Sequence, residues 1–335
     1  MQLPIVSELI KNKLPILQHC TFFGMLLLSV FVPFAVFGGD FSAQRADFTV
    51  QVRDVEIPYN IMSIFVMPDE IVNLRITLNK SKSVLFSMRS SHGRIRHLQR
   101  NQWRWHAPKL PGLYSVNVSG NQMTDSMLLN IFVMMPKKHQ QGEYLNGYRI
   151  GNYPKILFKG LPKYKPPRGF VEVSADNADT LVSPHFKLKQ FLCKQNGEYP
   201  KYLVLKEKLL LKLELILSEL NAKGYRCDTY YVMSGYRTPY YNKAIGNVNY
   251  SRHIYGGAAD IFIDENPKDE MMDDLNWDGK IDYEDAAVIY KIIDKLHGKS
   301  FYQGFVGGLA SYRKTVDHGP FVHVDVRGRR ARWGD

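Results

Sequence analysis

The chain has 335 residues, 45% of them hydrophobic, three cysteines and a formal net charge of +12. At about 100–200 residues per domain the length suggests two domains; the apolar content excludes wholesale disorder, and so few cysteines exclude a disulfide-dense mini-protein. The positive balance favours anionic surroundings without choosing among nucleic acid, lipid and cell envelope.

Lys11 and Lys13 precede a stretch from Leu14 to Gly39 that holds no Asp, Glu, Lys or Arg. A positive flank followed by an apolar run is the pattern of a signal peptide or an uncleaved anchor, and the run exceeds the roughly 20 residues that a bilayer requires. Residues 1–40 are read this way, with a buried helix of the first domain as the alternative. The expected location is the periplasm or cell envelope, with contact to the inner membrane if the segment stays on. Cys20 lies in this run. Cys193 and Cys227 are left as one disulfide or two buried thiols, and no Cys-x-x-Cys pair exists to suggest a thiolate zinc site.

Residues 44–136 read as strands. VQVRDVEI, IVNLRITL, SVLFSM, GLYSVNV and LLNIFVMM alternate or are rich in β-branched residues, and Pro68-Asp69, Asn79-Lys80, Ser91-His92-Gly93 and Pro111-Gly112 punctuate them. Short strands at regular spacing predict a β-sandwich. The stretch Trp105–Val118 resembles the late strands of Ig-like domains. Trp103 and Trp105, two apart, share one face of a strand; core packing is the expected use, with a ligand platform as the alternative. Residues 137–170, rich in Gly, Pro, Tyr and Lys, read as a linker.

From 171 to 335 the pattern turns to mixed α+β. Ser183-Pro184-His185-Phe186 is expected to open a helix over KLKQFLC. Tyr202 to Ala222 carries apolar residues at helical spacing, and Tyr230–Met233, Ile261–Ile263 and Phe321–Val326 read as strands.

The chemistry-bearing residues fall in this last region. His253 and Asp260 are seven apart, with two glycines and two alanines among the residues between them, and both types are ordinary zinc ligands. His323 and Asp325 alternate on a strand and share a face, so His323 can supply a third ligand and Asp325 can orient an imidazole from behind. His318 lies just before that strand. Ser234-Gly235-Tyr236-Arg237-Thr238-Pro239 places an arginine at a strand end, where its fork suits a carboxylate. Two His, one carboxylate and an open position is the pattern of a hydrolytic zinc site.

Together these motifs resemble the zinc D-Ala-D-Ala carboxypeptidase family, which includes murein endopeptidases and shares the hedgehog-like zinc peptidase fold. Ser251, His253, Gly256, Ala258 and Asp260 fill the fixed places of its Ser-x-His-x-x-Gly-x-Ala-x-Asp motif, and the likeness covers roughly Ser183 to Trp333. The resemblance implies an α+β zinc peptidase domain, so that the expected fold is this domain preceded by the all-β Ig-like sandwich domain read from residues 44–136. It implies zinc ligands His253, Asp260 and His323, a catalytic His318 with Asp317 as fallback, and substrate contacts from Arg237, Tyr236 and Ser251. One branch of the family has a Glu three residues before the last ligand; here that place is Pro320. The implied activity is hydrolysis of peptidoglycan stem peptides or cross-links by an exported enzyme. The alternative is a non-catalytic envelope-binding protein on the same fold. A nucleic-acid partner is not expected, since charge alone speaks for it.

A second ion is expected in the loop 274–285. Asp274, Asn276, Asp278, Lys280 (through its carbonyl), Asp282 and Asp285 occupy the ligand places of an EF-hand, with Gly279 at the sixth. Asp285 stands where Glu is usual, as in dockerin loops. The reading is a calcium site that braces the domain, against a plain acidic turn capping the following helix.

Overall fold

The stretch 71–78 alternates at period two. In the computed structural model, which describes residues 41–78, 84–121 and 123–334, it is a strand with Val72, Leu74 and Ile76 buried and the residues between them exposed. The same logic builds nine strands: β1 (Arg45–Val52), β2 (Val55–Tyr59), β3 (Ile61–Val66), β4 (Ile71–Leu78), β5 (Phe86–Ser90), β6 (Arg94–Gln99), β7 (Gln102–His106), β8 (Gly112–Gly120) and β9 (Ser126–Val133). They form a five-stranded sheet in the order β2-β1-β4-β7-β6 and a four-stranded sheet in the order β3-β9-β8-β5. The sheets meet through their apolar faces. Phe48 of β1 packs on Phe86 of β5, and the Trp105 indole of β7 donates to Ser90 Oγ of β5 at 2.9 Å. Trp103 and Trp105 are both buried, which places them in the core and not on a ligand platform.

VQVRDVEI is not one strand. Arg53 takes a positive φ of 55° and the chain reverses, so that β1 and β2 pair as a hairpin. The expected helix over 187–193 is also absent. Leu181–Ser183 and Phe186–Lys187 pair as a short hairpin, followed by a single 3-10 turn, Leu188–Phe191. The buried Glu214 carboxylate accepts the His185 amide at 2.9 Å and its ring at 2.7 Å, which holds the hairpin bend against a helix. The helix read from Tyr202 starts later. Lys201–Leu203 pairs with the strand Gly169–Val173, and α1 runs Glu207–Asn221 with eight buried Leu or Ile residues. Cys193 and Cys227 are buried free thiols.

The second large sheet has the order Tyr231–Ser234, Ala258–Phe262, Phe321–Asp325, Gly308–Tyr312, Ala331–Gly334. α2 (Pro239–Ala244) leaves its first strand, and α3 (Tyr283–Asp294) packs beside Gly308–Tyr312. Phe41–Asp335 clusters as one compact unit. Contacts across it include Glu207 at the start of α1, which accepts the Phe65 amide of β3 at 3.1 Å, and Asn130 of β9, which donates to Leu181 O at 2.9 Å. The stretch read as a linker is packed against the rest. The Tyr153 hydroxyl donates to Ile254 O at 2.8 Å, and Tyr164 is buried beneath Arg252. Among the described residues no helix is long and apolar enough to cross a membrane. The reading of residues 1–40, the turn at Asn79-Lys80 and Cys20 lie outside the described residues.

Candidate metal centre

Register brings two of the three expected ligands together. Ala258–Phe262 and Phe321–Asp325 are antiparallel neighbours, and Asp260 is paired directly with His323. Directly opposed residues share a face of the sheet, their Cβ atoms about 5 Å apart. His253 arrives from the 3-10 turn Arg252–Tyr255, which Gly256 closes at φ 62°. A Cβ there would lie 2.2 Å from Val204 O, so both the conformation and the space demand glycine.

The three donor atoms converge. His253 Nε2 lies 3.2 Å from His323 Nδ1 and 3.3 Å from Asp260 Oδ1, and the last two are 2.7 Å apart. A tetrahedral ion about 2.0–2.1 Å from each donor sets such atoms about 3.3 Å apart. The tautomers are arranged for it. His253 donates Nδ1–H to Gly235 O at 2.7 Å, which leaves Nε2 free, and His323 turns Nε2 to Asp325 Oδ2 at 3.3 Å, which leaves Nδ1. Asp325 is itself held by the Gly308 amide at 2.9 Å and by the Arg327 guanidinium. A Cβ on Gly308 would stand 2.3 Å from Asp325 Oδ2. Among the described residues this trio is the His/Cys/Asp/Glu group that fits a metal ion, and two imidazoles with one carboxylate match zinc.

The neighbours of the trio set its charges. Burial alone pushes the Asp260 carboxyl up, but His253, His323 and Arg237 outweigh it and hold it well below the usual range. Burial pushes His253 down, against the pull of Asp260. Burial opposes the charged form of His323 too, yet hydrogen bonds to Asp260 and Asp325 raise it. Asp325 stays ionised because His323 and Arg327 overcome its burial.

The centre opens on a cleft of about 1220 Å³. His318, Asp317, Ser251 and Arg237 line it, as expected of site residues. His318 turns Nδ1 to Gly319 O and packs edge-on against Phe321. Two readings change. Tyr236 is 1% exposed and does not line the cleft; its hydroxyl is bonded to Tyr153 at 3.0 Å behind the site, because Tyr236 N is drawn to Phe191 O. Arg237 is committed inward, with Nη2 on the second oxygen of Asp260 at 2.5 Å and Nε on Ser234 Oγ at 2.7 Å. It fixes a ligand carboxylate of the protein itself. Sequence reasoning missed Trp333, whose ring lies 5.2 Å from that of His323, and Phe158 and Tyr164, which the supposed linker contributes to the cleft wall.

Residues 184–291 match the family model described as Peptidase M15. This part of the chain belongs to the M15 peptidase family. The matched span holds His253 and Asp260; His318 and His323 lie beyond it, and the sheet register brings His323 to the same point. No curated protein matches the chain. M15 peptidases are zinc-dependent hydrolases, and the donor trio of this M15 domain fits the ion.

The loop 274–285 has a different character. Its side-chain oxygens face backbone amides: Asp274 accepts from Trp277 and Gly279, Asn276 from Asp278, and Asp278 from Lys280. Asp282 caps α3 through the Glu284 amide at 2.8 Å. Asp285 is fully buried and accepts the amides of Leu275 and Asp282 at 2.8 Å each.

The M15 centre is expected to lose zinc completely in Asp260→Ala. In Asp325→Asn the affinity should fall about 10- to 100-fold, as for other partners that orient a metal-bound imidazole. Competition against a colorimetric chelator measures both, and unchanged affinity in Asp325→Asn would remove Asp325 from the site.

Proposed function

We propose that the chain is an exported zinc peptidase that hydrolyses peptidoglycan stem peptides or cross-links at the cell envelope, its two-sheet, Ig-like region positioning the M15 domain. One observation carries the reading: a buried His253–Asp260–His323 trio, with tautomers set from behind, opens on a cleft large enough for a peptide. Zinc held there would supply Lewis acidity and activate water near neutral pH. The chain's own residues do the remaining work. Arg237 binds one oxygen of Asp260 and so leaves the other for the ion. His318, at the cleft wall, takes and returns the proton as the peptide bond breaks, with Asp317 beside it as the second candidate.

The substrate carboxylate falls to a residue other than Arg237. Four further Lys or Arg residues line the cleft. Arg252 lies between Tyr164 and Tyr255, Arg327 is held by Asp325, and Lys194 donates to the Tyr231 hydroxyl. Arg329 lines the same cleft, is exposed, and has no partner among the described residues. A free guanidinium forks onto a carboxylate bidentately. In this reading Arg329 anchors the free carboxylate of the stem peptide.

The loop 274–285 is proposed to bind calcium and brace α3 against the sheet. Gly279 at φ 83° in the sixth place and the carboxylates Asp274, Asp278, Asp282 and Asp285 in the ligand places of the loop support this.

Purified peptidoglycan incubated with the full chain should release alanine or convert cross-linked dimers to monomers, and a zinc chelator should stop both. His318→Ala should keep zinc and lose about 10²–10⁴ in turnover; normal turnover would take His318 out of the mechanism, and no product from a zinc-loaded chain would favour a binding protein. Arg329→Ala should raise KM for a stem peptide with a free terminal carboxylate and leave the amidated peptide unaffected; an equal loss on both would refute the anchor. Calcium should raise the melting temperature of the parent and not of Asp278→Ala, and a parent indifferent to calcium would sink the loop assignment.

A further inference from the structure

A second cavity, of about 500 Å³, lies on the five-stranded sheet, away from the zinc centre. Period-two alternation in β4 and β7 sends Leu74, Trp103 and Trp105 inward and Asn73, Arg75 and Arg104 outward. Register then assembles the outer face. Gln51 is paired with Arg75, Arg75 with Gln102, Asn73 with Arg104, and Arg104 with Arg96 of β6. The groove is therefore walled by guanidinium groups and primary amides.

Two of its three arginines, Arg75 and Arg104, have no acidic partner among the described residues. Arg96 and Arg104 stand directly opposite each other, an arrangement that costs stability in an antiparallel pair. Arg104 finds only the Asn73 side-chain carbonyl, at 3.3 Å. Arg53, at the groove's end, is spent on Glu70 and Glu207. Neither Arg75 nor Arg96 forms an ion pair among the described residues. The groove lining holds no acid, and Glu56, paired with Gln51 on β2, stands one strand beyond it, so a lining that keeps like charges opposed is complementary to an anion.

The other lining groups say which anion. Amide side chains donate and accept at once, as sugar hydroxyls and N-acetyl groups require. Arginine forks match carboxylates. Leu98, 40% exposed, offers an apolar surface for a sugar ring, while the one aromatic ring in the lining, Trp103, is 6% exposed and cannot stack with a nucleobase. We propose that this groove binds a carboxylate-bearing glycan, so that the two-sheet region grips the polymer whose peptides the M15 domain cuts. The identity of the polymer rests on the peptidoglycan reading; the groove's chemistry does not.

The test uses the full chain in detergent, stripped of zinc so that nothing is cleaved, and co-sedimented with purified peptidoglycan sacculi. Arg75→Gln/Arg104→Gln should reduce retention about tenfold, as expected from lost charge-assisted hydrogen bonds. The zinc-loaded variant should hydrolyse a soluble stem peptide at the parent rate. The single variant Arg75→Gln, which leaves the Asn73–Arg104 bond intact, should show a smaller loss in the same direction. A soluble polyuronate should displace the parent from sacculi and neutral dextran should not. Equal retention of parent and variants overturns the proposal, as does a parent that sacculi do not retain. Displacement by anionic phospholipid vesicles or single-stranded DNA, and not by polyuronate, overturns it as well. Failure of the peptidase reading shows separately, as absent hydrolysis of the soluble peptide.

Discussion

The structure of the M15 domain depends on keeping one carboxylate and two imidazoles buried within 2.7–3.3 Å of one another. Removing charges from water costs roughly several kcal/mol per ion unless each finds partners. Here every outward-facing atom of the trio is answered. Gly235 O takes one imidazole N–H, Asp325 takes another, and Arg237 neutralises the outer oxygen of Asp260. The inward-facing atoms remain, two ring nitrogens and a carboxylate oxygen aimed at one point. A divalent cation at that point would satisfy all three donors at once.

Much of the fold serves this point. The antiparallel register of two strands sets Asp260 beside His323, and the paired glycines at 307 and 308 leave room for Asp325 behind them. Gly256 lets the His253 turn lie against Val204. The segment 137–170 seals one side through Tyr153 and Tyr164, which explains its aromatic content better than a spacer role does. Across the cleft His318 and Arg329 stay accessible, which is where groups that must meet a substrate belong.

The strand 71–78 and the paired tryptophans of β7 were legible because one-sided burial imposes period two on the side chains. The zinc trio was legible because its residue types, spacing and small intervening residues are chemically specific. What failed were readings in which long-range contacts decide. The stretch 187–193 has helical composition, but the buried Glu214, nearly thirty residues away, binds the His185 amide and ring and fixes a hairpin. Tyr236 follows a strand and could face either way; its backbone bond to Phe191 O turns it from the cleft. Arg237 was correctly placed near the site yet given the wrong partner, since no local pattern shows that Asp260 has a second oxygen to satisfy. Arg329 carries no motif and becomes visible once the other cleft cations are matched to their partners.

In the reading given above, His253, Asp260 and His323 bind zinc together. X-ray absorption at the zinc edge of the purified full chain tests it most directly. The expected result is about one zinc per chain with two imidazole nitrogens and carboxylate or water oxygens at about 2.0–2.2 Å, and no sulfur near 2.3 Å. A sulfur shell, or a folded chain that takes up no zinc, would contradict it.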